Sequence, residues 1–217
     1  ATSTLSVVFD LSDTAAQMVN ANLTLSVQDG LGGSGEIEGV IGGSLNDILS
    51  GNENDNTLTG GDGVDVLNGR GGDDLLEGGI GNDVLNGGEG EDTIRENEDT
   101  DFFLSDVVLI RGSGEVDQLE SIEVAHLEGG PNTSNTFDLT GWAGTGSVHG
   151  MDDTDPSSLP SAYTDLLIMS ADVDFVLTDT DLTITDDSGS RVLELADIET
   201  VVLSGGPSAN TLDASAF

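Results

Sequence analysis

Residues 42–95 read GGSLNDILS GNENDNTLT GGDGVDVLN GRGGDDLLE GGIGNDVLN GGEGEDTIR and, set out in nines, align without a gap. The first position is always Gly: Gly42, Gly51, Gly60, Gly69, Gly78 and Gly87. The sixth is Asp47, Asn56, Asp65, Asp74, Asp83 and Asp92, and the eighth is Leu49, Leu58, Leu67, Leu76, Leu85 and Ile94. With Gly at about one residue in seven, six in one column arise by chance on the order of once in 100,000. A Gly/Asp-rich composition alone favours a flexible acidic linker, but a linker has no use for an aliphatic residue every nine positions.

The spacing implies a local structure. Position eight faces inward and its neighbours outward, as in a very short strand. The six residues before it must reverse the chain, and Gly at positions one, two and four is expected to supply the positive φ of a tight turn.

These columns resemble the RTX (hemolysin-type) calcium-binding repeat, G-G-x-G-x-D-x-U-x. The match covers 54 residues, a quarter of the chain. A seventh, degenerate unit at 33–41 (GSGEIEGVI) places Gly33, Glu38 and Val40 in the three diagnostic columns. Departures are Leu45 and Asn54 at the fourth position, Asn52 and Arg70 at the second, and Asn56 at the sixth. Sites that use Asn56 or the first loop are therefore expected to be weaker or absent.

The resemblance implies an all-β fold, a right-handed parallel β-roll or β-solenoid with two nonapeptides per coil. Repeats n and n+2 then stack at the strand spacing of about 4.8 Å. That stacking sets Asp47 beside Asp65, Asn56 beside Asp74, Asp65 beside Asp83, and Asp74 beside Asp92. Two carboxylates about 5 Å apart repel by roughly 0.8 kcal/mol in water and about 3 kcal/mol at an effective dielectric of 20, so a cation must sit between layers. Hard oxygen ligands without Cys or His fit calcium better than zinc or copper, and magnesium demands a stricter octahedron. The resemblance assigns the six position-six side chains as ligands and predicts about four calcium ions, with a further site joining Glu38 to Asn56. Expected carbonyl ligands are those of Gly42, Ser44, Gly51, Glu53, Gly60, Gly61, Asp62, Gly63, Gly69, Arg70, Gly71, Gly72, Gly79, Gly81, Gly88 and Gly90.

The composition agrees with a cation partner and excludes others. The 217 residues hold 42 acids, four Arg and no Lys, a formal charge of −38. Nucleic acid and anionic lipid need Lys/Arg surfaces. No apolar run approaches 18 residues, no signal peptide opens the sequence, and zero Cys removes disulfides and thiolate sites. Only 12 acids lie in 42–95, against five in 1–41 and 25 in 96–217, so most acids are expected to be solvated surface.

The C-terminal part is duplicated. DFFLSDVVL (101–109) parallels DFVLTDTDL (174–182), and SIEVAHLEGGPNTSNTFDLT (121–140) parallels DIETVVLSGGPSANTLDASA (197–216) with one residue deleted. Each copy reads as short strands with Gly-Pro and Asn turns. Leu5, Val7, Phe9 and Leu11 alternate in the N-terminal flank, as do Leu23, Leu25 and Val27. The expected organisation is a β flank or cap over 1–41, the roll over 42–95, copy one over 96–149, a linker or lateral loop over 150–165, and copy two over 166–217. This order is similar to tandem arrays in giant secreted bacterial surface proteins and adhesins. Copy two ends at Phe217 where copy one runs on through Gly141 and Trp142, so adjoining domains of a longer parent chain are expected.

No catalytic residue is expected. His126 and His149 read as packing or loop residues, and no G-x-S-x-G elbow or H-E-x-x-H helix occurs. Gly30, Gly32 and Gly35 fit G-x-G-x-x-G without a βαβ context. The acid pairs Asp172/Asp174 and Asp179/Asp181 are frequent by composition alone, Trp142 and Tyr163 are too few for a sugar platform, and Asp152, Asp153 and Asp155 suggest one more calcium loop. The expectation is a calcium-binding, non-enzymatic structural module of a large extracellular bacterial protein, exported by type I secretion and folding on calcium outside the cell. The open alternatives are an RTX accessory region of a secreted protease, lipase or polysaccharide-modifying enzyme, and an adhesin segment that binds a cell-surface glycan or protein.

Overall fold

A computed structural model describes residues 8–12, 24–26, 38–131, 133–151 and 164–217, and every regular element among them is a β-strand. The chain divides into two compact units, one of the described residues up to Arg95 with Glu115–Val124, the other of Glu96–Gly114 and Ala125–Phe217.

In the first unit, strand alternation turns position eight of every nonapeptide inward. Leu49, Leu58, Leu67, Leu76, Leu85 and Ile94 are each 0% exposed, and Val40 extends the column downward, while Ile48 and Val66 at position seven face outward. Neighbouring strands pair in parallel at an offset of eighteen residues. Ile48–Ser50 lies along Val66–Gly71, and Val66–Gly71 along Val84–Glu89, so that Leu49, Leu67 and Leu85 stand in line. The alternate repeats form the second row, with Gly39–Ile41, Thr57–Asp62, Leu75–Ile80 and Thr93–Asn97 aligning Val40, Leu58, Leu76 and Ile94. Two nonapeptides thus make one coil of a parallel β-roll. Each buried Leu contributes about 1.5–3 kcal/mol. Leu76→Ala, with no neighbour able to fill the space, should cost about 3 kcal/mol in urea unfolding at saturating calcium.

Segments outside the repeats complete this unit. Val8–Asp10 pairs in parallel with Ile48–Ser50, and Thr24–Ser26 runs antiparallel to Gly39–Ile41. Val116–Glu120 pairs in parallel with Val84–Glu89, placing Leu119 opposite Leu85. Arg70, where the repeat has Gly, keeps the left-handed backbone (φ +79°) and uses its side chain to tie down the flank. Its guanidinium pairs with Asp10 at 2.5 Å and reaches the Ser12 hydroxyl.

The glycine expectation needs one correction. Positions two and four of the last four repeats are left-handed, as at Gly61 (+106°) and Gly63 (+145°), but the first-position glycines are not. What the first position requires is space.

In the second unit the duplication appears as two like-built hairpins. Phe102–Ser105 pairs antiparallel with Val108–Arg111, and Asp174–Thr178 with Asp181–Asp186. Each first strand takes a later strand in parallel, Thr136–Asp138 opposite Phe102 and Phe103, Leu212–Ala216 beginning opposite Phe175. The rings of Phe102 and Phe137 stack 5.5 Å apart, whereas Phe175 faces Leu212. The turns match as well. Asp99 accepts from the Thr133 hydroxyl and Asn135, and Asp172 from the Ser208 hydroxyl and Asn210. Trp142 is buried, and His126 Nδ1 lies 2.8 Å from Ser147 Oγ, a packing role. Leu5, Val7, Leu23, Val27, Gly30, Gly32, Gly33, Gly35, Asp152, Asp153, Asp155 and Tyr163 lie outside the described residues.

Candidate metal centre

The side chains of Asp47, Asn56, Asp65, Asp74, Asp83 and Asp92 are all buried, each at most 3% exposed. They form two columns along the roll, joined layer to layer by main-chain hydrogen bonds. Asp47 N–H donates to Asp65 Oδ1 at 2.7 Å, Asn56 N–H to Asp74 Oδ1 at 2.7 Å, Asp65 N–H to Asp83 Oδ1 at 2.8 Å, and Asp74 N–H to Asp92 Oδ1 at 2.9 Å. All four neighbours expected from the stacking are therefore in place. Glu38 takes the corresponding place below Asn56, its carbonyl accepting from Thr57 N–H at 2.7 Å.

What meets the side-chain oxygen nearest position two separates early repeats from late ones. Asp47 Oδ2 accepts from Gly43 N–H at 2.7 Å, and Asn56 Oδ1 from Asn52 N–H at 2.8 Å. In the later repeats position two is left-handed, and Oδ2 of Asp65, Asp74 and Asp92 is buried with no hydrogen-bond partner. A Cβ added to Gly60 would meet both Asp65 Oδ2 and the Gly78 carbonyl oxygen, and one added to Gly69 would meet Asp74 Oδ2 and the Gly87 carbonyl oxygen. An anionic oxygen and a carbonyl dipole thus converge on a spot that only glycine leaves open. Burying such oxygens unpaired is costly, and a hard cation relieves it. Asn56 carries one oxygen, already used, and a buried Nδ2 without an acceptor, so its layer is the poorer cation site.

The electrostatics point the same way. Burial pushes the Asp65 carboxyl up to about 6, helped by Asp83, Asp47 and Asp62, against a hydrogen bond from Asp47 N–H that lowers it. Burial likewise raises Asp74 to about 7, with Asp92, Asp55 and Asp73 adding repulsion. Asp92 is raised by burial and then by Glu123. Among the described residues no three His, Cys, Asp or Glu side chains form a metal-holding group. An ion between layers would therefore have to draw on two carboxylates and complete its shell with backbone carbonyls, the donor set that suits calcium.

Position five adds a ladder not anticipated from the sequence. Asn46 accepts from Val64 N–H, Asp55 from Asp73 N–H, and Asp73 from Glu91 N–H, at 2.9–3.1 Å. These side chains bind the layer above, whereas those at position six bind the layer below. The carbonyl oxygens of Gly78 and Gly87 were also missed. Among those expected, Gly60 and Gly69 hold the same place beside Asp47 and Asn56. The carbonyl oxygens of Gly61, Gly63, Arg70 and Gly72 occupy the space that a Cβ on Gly79, Gly81, Gly88 and Gly90, one layer up, would need. In the second unit Asp172 is a structural acceptor, held below the usual carboxylate range by Asn210 and Ser208, which does not suit a proton donor.

A family model of the RTX calcium-binding nonapeptide repeat, four copies long, matches residues 41–76, 59–94 and 69–102. A search of the curated proteins finds no match. Residues 41–102 are thus RTX repeats, a structural calcium-binding module with room for several ions rather than a catalytic element.

Proposed function

We propose that this chain is a calcium-gated structural section of a large secreted or cell-surface bacterial protein. The observation that carries the reading is the buried Oδ2 of Asp65 and Asp74, each facing a glycine carbonyl from the next layer without a hydrogen-bond partner. In this reading one ion sits between Asp65 and Asp83 with the Gly78 carbonyl, and another between Asp74 and Asp92 with the Gly87 carbonyl. The layers containing Asp47 and Asn56 bind more weakly, because hydrogen bonds already occupy Asp47 Oδ2 and the single oxygen of Asn56. The metal supplies charge neutralisation and cross-bracing; the chain supplies the spacing, the dry environment and the fixed carbonyls.

Folding is coupled to binding. A formal charge of −38 and a core one leucine wide leave the apo chain with strong self-repulsion and little apolar area to offset chain entropy. Each occupied site adds RT ln(1 + [L]/Kd), so several moderate sites together tip the equilibrium. Millimolar calcium outside the cell favours the folded form, and RTX repeats typify secreted bacterial proteins. The test is a calcium titration of chelator-stripped protein at pH 7.5, followed by far-UV circular dichroism and calorimetry. The expected result is a cooperative gain of β signal with at least two ions bound per chain. A complete β spectrum in excess chelator, unmoved by calcium, overturns the reading.

A further inference from the structure

We propose that the roll holds one calcium ion more than its nonapeptides account for, in a layer closed by Ser121 and Glu123 from outside the repeats. This deepens the calcium reading above and rests on it. Gly87 and Asp92 are the first and sixth positions of the last nonapeptide, so no further repeat stands above them. Residues 121–124 nevertheless reproduce three contacts of the next layer. A Cβ on Gly87 would meet Asp92 Oδ2 and the Ser121 carbonyl oxygen, just as one on Gly69 would meet Asp74 Oδ2 and the Gly87 carbonyl oxygen. Asp92 N–H donates to Glu123 Oε2 at 3.0 Å, as Asp74 N–H does to Asp92 Oδ1 at 2.9 Å. The Asp92 carbonyl accepts from Val124 N–H at 3.0 Å, as that of Asp74 does from Thr93 N–H at 2.8 Å.

In a repeat four residues separate the glycine carbonyl from the carboxylate. Here Ile122 alone separates them. Ser121 adopts a left-handed backbone (φ +53°), a conformation that non-glycine residues rarely take up. The extra methylene of Glu, compared with Asp, makes up part of the reach. Asp92 itself is 0% exposed, and its Oδ2 has no hydrogen-bond partner. An unpartnered buried carboxylate oxygen, a second carboxylate and a carbonyl therefore converge, which is the donor set of the repeat layers. The same device recurs in the second unit. Asp197 is left-handed (φ +54°), its carbonyl abuts Gly150, and Glu199 Oε2 accepts from Asp165 N–H at 2.7 Å. Ser-Ile-Glu and Asp-Ile-Glu are thus shortened forms of one layer-closing turn, and the ion is assigned only to the layer of Asp92.

The deciding experiment is a wild-type crystal grown in excess calcium, with anomalous peaks located along the roll. The expected result is a peak between Asp92 and Glu123 in addition to those between Asp65 and Asp83 and between Asp74 and Asp92. Filled repeat layers with nothing at Glu123 overturn this inference alone. Peaks in none of these layers overturn the calcium reading itself. In solution, Glu123→Gln should lower calorimetric stoichiometry by one ion, or weaken one ion at least tenfold, with the others unchanged. Wild-type stoichiometry and affinity in that variant count against it, and should the variant not fold, the crystal decides.

Discussion

Stripped of calcium, the protein should gain β-structure as the pH is lowered from 7.5 to about 5.5. The folded form holds the protons of Asp65 and Asp74 to about 6 and 7, while unfolded carboxylates release theirs near 3.8. Between roughly pH 4 and pH 7 the folded state therefore binds more protons, and stability falls as pH rises through this window. Below it both states are protonated and the penalty is gone; above it the penalty is complete. A tenfold change in proton affinity is worth about 1.4 kcal/mol, so each carboxylate weighs against the charged, metal-free roll by on the order of 3 kcal/mol. Relief of the overall charge acts in the same direction, but salt screens that long-range part and spares the buried pairs. Asp74→Asn should thus flatten the pH dependence at 0.5 M salt, where circular dichroism is to be compared with wild type. The range stops at pH 5.5 because the sequence pI is about 4.1, and association sets in as net charge vanishes. With calcium present the slope reverses, since the ion competes with protons for the same oxygens. A calcium-free chain equally disordered at both pH values would contradict this account.

Gly69→Ala should be more damaging than any loss of a single leucine. Its φ is not left-handed, so propensity alone predicts a mild effect or even a gain from a stiffer unfolded chain. Space predicts the reverse. The new methyl would overlap Asp74 Oδ2 and the Gly87 carbonyl oxygen, and the second of these is main chain fixed by its own layer. Relief requires the coils to part where the ion is expected, so loss of that ion and destabilisation by at least about 4 kcal/mol should follow. Gly114→Ala and Gly189→Ala are the controls. Both glycines are left-handed (+93° and +139°) but open to solvent, with nothing within 4 Å of an added Cβ. Backbone strain alone should cost them about 1–2 kcal/mol with calcium stoichiometry intact. Calorimetry and chemical unfolding in saturating calcium distinguish the two classes. Equal, small effects at all three positions would mean that the first glycine is retained for its torsion after all.

The parts of this fold legible in the sequence are those where one position has one physical task. The leucine column is such a case, because a coil of eighteen residues buries only one apolar side chain from each half. From it follow the parallel offset and the pairing of Asp47 with Asp65 and of Asp74 with Asp92. The first glycine was assigned to a turn because glycine serves torsion and space alike, and only coordinates separate the two. Ser121 and Glu123 escaped notice because a layer shortened to three residues leaves no period to detect. The duplicated hairpins were visible from Asp101–Leu109 and Asp174–Leu182, and the segments at 136–138 and 212–216 lay within the second duplicated stretch, but their parallel pairing with the hairpins was not visible, since turns of unequal length break the numerical spacing. Arg70 stood out as an exception within its column, although its partners Asp10 and Ser12 lie sixty residues away and no local pattern points to them.

The opposed hydrogen bonds at position six have a consequence for how the polypeptide is made. Each aspartate amide donates to a carboxylate eighteen residues further on, so the donor exists before its acceptor. A ribosome delivers the amino end first. A nascent coil must therefore wait, its amide answered only by water, until the next turn of chain has emerged. The same holds for any pore that threads the protein amino end foremost. The last part of the first unit to appear, which carries Ser121 and Glu123, is then the lid whose arrival lets the coils beneath it lock.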